Sequence, residues 1–139
     1  MTEYTDVTAA VIIRGDKVLI ARRTSGPRAG MWEFPGGKQE ENESLESCLA
    51  REIREELGLE ITVDRLYMTV EHTYPDIRVR LHCFFCGTGQ VPRELAAHHE
   101  IKWVSPGELA EFRFPEADQR VAEKLEEMDL RLTIDTRRS

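Results

Sequence analysis

The chain has 139 residues, 40% of them apolar and 32% charged, with 9 Gly and 6 Pro. That length builds one domain with a sizeable core and not two, and the composition is globular rather than disordered or fibrous. The 19 Lys+Arg against 26 Asp+Glu give a net charge of -7, which argues against polymeric nucleic acid or an anionic membrane as partner but leaves a small phosphorylated ligand open, because a divalent cation reverses the local sign.

In chain order, residues 8–13 are β-branched and apolar, Gly15-Asp16 signals a turn, and residues 17–21 are apolar again, which predicts two paired strands. Residues 25–31, with Gly26, Pro27 and Gly30, read as a surface loop. Trp32-Glu33-Phe34 is a short extended piece that Pro35-Gly36-Gly37 breaks. A helix is predicted over residues 43–57, with Asn42 as cap and Gly58 as stop. Leu49, Ile53 and Leu57 recur every fourth residue as its buried stripe. Two strands follow, over residues 61–71 and 77–86, with a break near Pro75-Asp76. In the second, Val79, Leu81, Cys83 and Phe85 alternate with Arg78, Arg80 and His82.

Cys83 and Cys86 are three apart in that strand and so fall on opposite faces, as core residues rather than a metal or redox pair. Cys48 packs inside the first helix, and three cysteines make no disulfide framework. Residues 100–105 form a last short strand, Pro106 opens a helical turn, and residues 116–128 form a second helix with Val121, Leu125 and Met128 on one side. The tail, residues 129–139, carries no clear element. Strands with two long helices predict an α/β domain in layers. No apolar run approaches the roughly 20 residues of a spanning helix, and Glu3 and Asp6 do not suit a signal peptide, so the expected location is cytoplasmic, as a monomer or homodimer.

Glu52, Glu55 and Glu56 stand at i, i+3 and i+4, so one helix face carries three carboxylates. By themselves they read either as a solvated acidic face or as ligands of a hard divalent cation such as Mg2+, which takes carboxylate oxygens together with substrate phosphates. The company they keep favours the second: Arg51 beside the acids, and Gly36-Gly37 upstream, whose bare backbone allows close approach.

Gly37, five residues, Glu43, seven residues, then Arg51-Glu52-Ile53-Arg54-Glu55-Glu56-Leu57-Gly58-Leu59 resembles the Nudix box at its nine fixed positions, over residues 37–59. The segments Ala9-Ala10-Val11-Ile12-Ile13, Leu19-Ile20-Ala21-Arg22-Arg23, Trp32-Glu33-Phe34-Pro35-Gly36-Gly37-Lys38 and Trp103-Val104-Ser105-Pro106 are similar to the MutT-like branch, so the resemblance covers all but the last ten or so residues. It implies an α/β/α sandwich around a mixed β-sheet. It implies Mg2+- or Mn2+-dependent hydrolysis of a nucleoside triphosphate to the monophosphate and pyrophosphate, including sanitation of oxidised nucleotides. Carried over by position, Glu52, Glu55 and Glu56 are the metal ligands and catalytic acids, assisted by the Gly37 carbonyl. Glu43 and Arg51 are a supporting pair that needs the chain to bend near Glu43, and Arg23 is similar to a family arginine that meets phosphate.

One position departs from the pattern. MutT-like proteins often carry a further glutamate six residues before the last-strand tryptophan, where this chain has Ala97; either Glu94 or Glu100 serves, or the helix acids suffice, or activity is weak. His98 and His99 are candidates for touching substrate, and Glu33 is an auxiliary acid candidate. For the base, Phe34 and the His72/Tyr74 or Arg78/Arg80 positions are candidate walls. Asp118 falls where the branch reaches the base. The oxidised-guanine sanitisers have asparagine there, and some cytidine triphosphate hydrolases aspartate. An ionised aspartate only accepts hydrogen bonds, which suits the N4 amine of cytosine and fits O6 of 8-oxoguanine poorly unless Asp118 is protonated or only the ring N–H groups are read. A plain role in the first helical turn stays open. The expected function is hydrolysis of (d)CTP or related cytidine nucleotides, against an 8-oxo-dGTP sanitiser or a non-catalytic nucleotide-binding module. Dinucleoside polyphosphates or nucleotide sugars need recognition loops for which little chain remains.

Overall fold

The computed structural model describes residues 3–89 and 100–128, so Glu94, Ala97, His98, His99 and the tail of residues 129–139 lie outside the described residues. Strands β1 (Thr5–Arg14), β2 (Lys17–Arg22) and β3 (Trp32–Glu33) are followed by helix α1 (Leu45–Leu57). Strands β4 (Thr62–Thr73), β5 (Arg78–Gly87) and β6 (Glu100–Val104), a short 3-10 turn (Pro106–Glu111) and helix α2 (Glu116–Glu126) complete the order.

The sheet runs β3-β2-β1-β5-β4, with β6 on β2. It is mixed: β1 and β5 are parallel from Thr5↔Val79 to Ile13↔Gly87, and the other pairs are antiparallel. The expected pairing of the first two strands holds only at the hairpin end, Ile13↔Val18 and Arg14↔Lys17. Beyond it β3 takes the place of β1 on that edge of β2, at Ala21↔Glu33 and Arg22↔Trp32, because residues 35–39 occupy the rest of the β1 edge; β6 covers the opposite edge of β2 from Val18 to Arg22.

Alternation then sorts the core into two layers. Ala9, Val11 and Ile13 of β1, with Leu81, Cys83 and Phe85 of β5, pack with Val121, Ala122 and Leu125 of α2. Ala10 and Ile12, with Phe84 and Cys86, pack with Leu49, Ile53 and Leu57 of α1. A sheet covered on both faces explains why β1 reads as a continuous apolar run. It also separates Cys83 from Cys86, as the period of two requires. The result is the α/β/α arrangement.

Two helix ends differ from expectation. The cap of α1 is Ser44, whose Oγ accepts the Ser47 N–H at 3.0 Å; Asn42 sits in the left-handed region (φ 64°), where it turns the chain and begins no helix. Gly58 ends α1 at φ 61°, donating its N–H to the Arg54 carbonyl. Helix α2 stops at Glu126 rather than Met128, although Met128 still packs on the α2-side core.

Candidate active site

The register brings Glu33, Glu56 and Asp118 to one cleft. Gln39, Gly37 and Pro35 run beside β1, hydrogen-bonded to Asp6, Thr8 and Ala10. Gly36 lies so close that a Cβ there would strike the Thr8 carbonyl, whereas a Cβ on Gly37 would strike the Glu52 carboxylate. The glycine pair therefore lets the strand edge and the acidic face of α1 meet.

On that face Arg51 is the hub. It grips Glu43 with two bonds, Nε to Oε2 at 3.1 Å and Nη2 to Oε1 at 2.8 Å. Its Nη1 donates to Glu52 Oε2 at 2.9 Å and to Glu55 Oε1 at 3.2 Å. Glu43 also accepts the Glu40 N–H at 2.8 Å, and these bonds, led by Arg51, pull its carboxyl down to about 2. The left-handed Asn42 provides the bend that this pair requires. Glu56 points elsewhere and lines the cleft. Burial, with the like charges of Glu33 and Glu52, pushes its carboxyl up to about 8, Arg23 opposing.

Among the described residues no three side chains of metal-ligating type converge closely enough to hold an ion as they stand. Arg51 is the reason, because it occupies Glu52 and Glu55. The donor chemistry nevertheless fits a hard divalent cation: three carboxylates on adjacent turns, with Glu52 filling the space that Gly37 leaves. The Gly37 carbonyl does not stand free as expected, since it accepts from Thr8 N at 2.8 Å and Thr8 Oγ1 at 3.1 Å, with Cys48 Sγ 3.7 Å away. Alternation along the segment turns the Gly36 carbonyl the other way, and it accepts no hydrogen bond among the described residues.

The cleft has a volume of about 340 Å³. Next to Glu56, Gly36 and Gly37 it is lined by Arg23 and Glu33, which pair at 2.7 Å from Nη1 to Oε1. Arg23 Nε is buried without a partner among the described residues, a donor available to an anion. Burial raises the Glu33 carboxyl, with Arg23 restraining the shift.

Tyr74, Ile77, Val79 and Leu81 line the same cleft with Pro115, Ala117 and Asp118. Asp118 Oδ2 accepts the Phe34 N–H at 3.2 Å. Its carboxyl is pushed up to about 7, first by burial and then by Glu33. Phe34 is among the residues lining the cleft, yet its side chain is 2% exposed and stacked on Phe114 at 5.4 Å, so its ring belongs to the core and its N–H is the donor to Asp118.

Of the other wall candidates, Tyr74 faces the cleft, and its hydroxyl accepts the Ala117 N–H at 2.9 Å. His72 pairs with Glu116 at 2.8 Å, while Arg78 and Arg80 stack over Tyr4. Glu100 is held by Arg22 at 3.2 Å and is not among the residues lining the cleft. Arg28, a loop residue that no periodicity marks, also lines the cleft.

A family model described as "NUDIX domain" matches residues 8–124. The chain is 35% identical over 114 residues to a CTP pyrophosphohydrolase of Escherichia coli K12, covering 81% of this chain and 84% of that one. It is 30% identical over 127 residues to an 8-oxo-dGTP diphosphatase of Buchnera aphidicola, covering 91% and 96%. A solved MutT protein from Methanosarcina mazei Go1 superposes with a TM-score of 0.79 at 27% identity, over 89% of this chain and 94% of that one. With the box acids gathered on α1 beside the cleft, the chain belongs to the NUDIX domain family, as a MutT-like hydrolase.

Proposed function

We propose that this hydrolase cleaves nucleoside triphosphates to the monophosphate and pyrophosphate with Mg2+, and that cytidine nucleotides are its preferred substrates. The observation that carries the reading is the single cleft of about 340 Å³ lined by Glu56, Arg23 and Gly36-Gly37 together with Tyr74 and Asp118, groups suited to phosphates and to a base. Glu52, Glu55 and Glu56 would hold the cation, with the uncommitted Gly36 carbonyl as backbone donor in place of Gly37. Bound there, the cation neutralises the phosphate oxygens and makes water a better nucleophile.

The chain's own groups do the positioning. Arg51 keeps Glu52 and Glu55 on one side of α1 while Glu43 keeps Arg51 from swinging away. Glu33 aims Arg23, whose unpartnered Nε meets a phosphate oxygen as a charge-assisted donor. Glu56 retains its proton to about pH 8 until a cation takes the site.

Asp118 supports cytosine as an acceptor for the exocyclic amine, as in the sequence reading, and 35% identity to a CTP pyrophosphohydrolase supports the same choice. A carboxyl near 7 also gives a neutral form that donates to a carbonyl, which favours 8-oxo-dGTP as the second reading. Turnover of CTP, dCTP and 8-oxo-dGTP between pH 6 and pH 9 tests the choice. Selectivity for the cytidine nucleotides is expected to rise through pH 7 and to lose that dependence in Asp118→Asn. Glu56→Gln is expected to abolish pyrophosphate release while the protein stays folded; unchanged turnover would remove the assigned acidic face, and nucleotide binding without turnover in the unsubstituted chain would make it a binding module.

A further inference from the structure

The loop between β2 and β3 crosses to the β4–β5 turn through one side chain. Arg28 donates to Asp76 twice, Nη1 to Oδ1 at 2.9 Å and Nη2 to Oδ2 at 3.2 Å, joining segments 48 residues apart. The guanidinium carbon also sits over the Tyr74 ring, 4.2 Å from its centroid. Arg28 and Tyr74 both line the cleft, as do Ser25 and Ile77 on either side of this bridge, whereas Asp76 is not among the lining residues. Asp76 therefore grips Arg28 from behind, with its own side chain 43% exposed against 17% for Arg28.

The loop is built to bring Arg28 there. Its base is closed by Gly30 N–H to the Arg23 carbonyl and Arg23 N–H to the Met31 carbonyl, both at 2.8 Å. Gly26 and Gly30 turn it at φ 84° and 88°, values that a side chain would strain. A guanidinium carries five N–H donors. Two are spent on Asp76, which leaves others for a ligand beneath the Tyr74 ring.

We propose that Arg28 is a binding residue for the nucleoside half of the substrate and that Asp76 is its positioning residue, the two forming a clasp across the cleft. This rests on the reading of the cleft as a nucleotide site, but not on which base it prefers. A planar cation stacked on an aromatic ring and gripped bidentately is fixed in direction, so it meets sugar or base oxygens without first losing side-chain freedom. The clasp acts on retention and not on the bond being broken, because Arg28 pairs with Asp76 and with none of the carboxylates of α1. Its contribution is thus the same for every base, unlike that of Asp118.

The test is steady-state kinetics of Asp76→Asn and Asp76→Glu on CTP and GTP, with CMP affinity measured by calorimetry. Loss of a charge-assisted bidentate grip predicts that Asp76→Asn raises KM and the CMP Kd about fivefold to tenfold. The rise should be equal for CTP and GTP, with kcat within about twofold, and Asp76→Glu should restore most of it. An unchanged KM and CMP Kd in Asp76→Asn, or a fall in kcat and melting temperature with no change in KM, overturns the clasp while leaving the reaction intact. A KM penalty confined to one base overturns it as well, and assigns the bridge to base selection. An unsubstituted chain that neither binds CMP nor turns over any triphosphate overturns both readings.

Discussion

Asp118→Asn separates an electrostatic cost from the contact that the residue makes. Asn retains an oxygen for the Phe34 N–H, so the 3.2 Å bond survives while the charge goes. The carboxyl stands at about 7 against an ordinary 3.8. A carboxyl raised in the folded state binds its proton more tightly there, so its favourable contribution is complete below about pH 4 and is lost as pH rises through about 7. At 1.36 kcal/mol per pH unit, the gap corresponds to about 4 kcal/mol at alkaline pH. Water in the cleft and sharing of the field with Glu33 reduce this to about 2 kcal/mol.

For a domain of this size that is about 6 °C in melting temperature. Denaturation of both proteins in chelator, from pH 4 to pH 8, should show near-equal stability at the acid end. The variant should gain steadily towards pH 8. A constant difference across the range, or a variant that loses ground as pH rises, would refute the account of Asp118 as a charge held against its surroundings.

The two glycines should fail in different ways. Gly36→Ala drives a Cβ into the Thr8 backbone and should destabilise the fold by about 2 kcal/mol or more, whereas Gly37→Ala meets only the movable end of Glu52 and should keep most stability yet lose at least about tenfold in kcat; urea titration beside turnover distinguishes them, and equal stability losses would count against the geometry. Chelation of divalent ions should weaken triphosphate binding about tenfold or more while leaving cytidine affinity within about twofold, because the cation proposed at the α1 acids would meet phosphates that cytidine lacks; calorimetry with and without chelator checks this, and parallel losses for both ligands would place the cation elsewhere.

The parts legible in the sequence are those whose cause is local. The stripe of Leu49, Ile53 and Leu57 follows from helical repeat, and all three are buried against the sheet. The separation of Cys83 from Cys86 follows from strand repeat. The acids of α1 were visible for the same reason. What local pattern does not carry is long-range pairing. Nothing near residue 18 says that β6 will cover one edge of β2 while β3 follows β1 on the other, since an apolar strand suits either neighbour. Nothing near Arg28 announces Asp76, and Phe34 reads as a stacking face until Phe114, from the other end of the chain, covers it. Ser44 rather than Asn42 as cap was a choice between two good capping residues. It was decided by the need to turn Glu43 back towards Arg51.

That last choice shows how the acidic helix and the cleft depend on one arginine each. Arg51 faces Glu43, Glu52 and Glu55, and Arg23 faces Glu33 with Glu56 and Asp118 in its field. Each set has more carboxylates than guanidinium charge. The surplus in the first is exposed enough for water to carry it, and there Glu43 is pulled down to about 2. In the second, burial prevents that, so the surplus appears as carboxyls at about 8 and about 7 that keep protons near neutrality. Protonation is a provisional way to balance the charge. A divalent cation at Glu56 would balance it more completely, releasing the proton and offering the phosphates an attractive surface where the cation-free protein offers a repulsive one. Arg23 is then free to follow the substrate, since Glu33 no longer has to be countered by it alone. On the proposed reading, the acid excess of the sequence and affinity for an anionic substrate are reconciled through the cation, and the raised Glu56 carboxyl is where it would act.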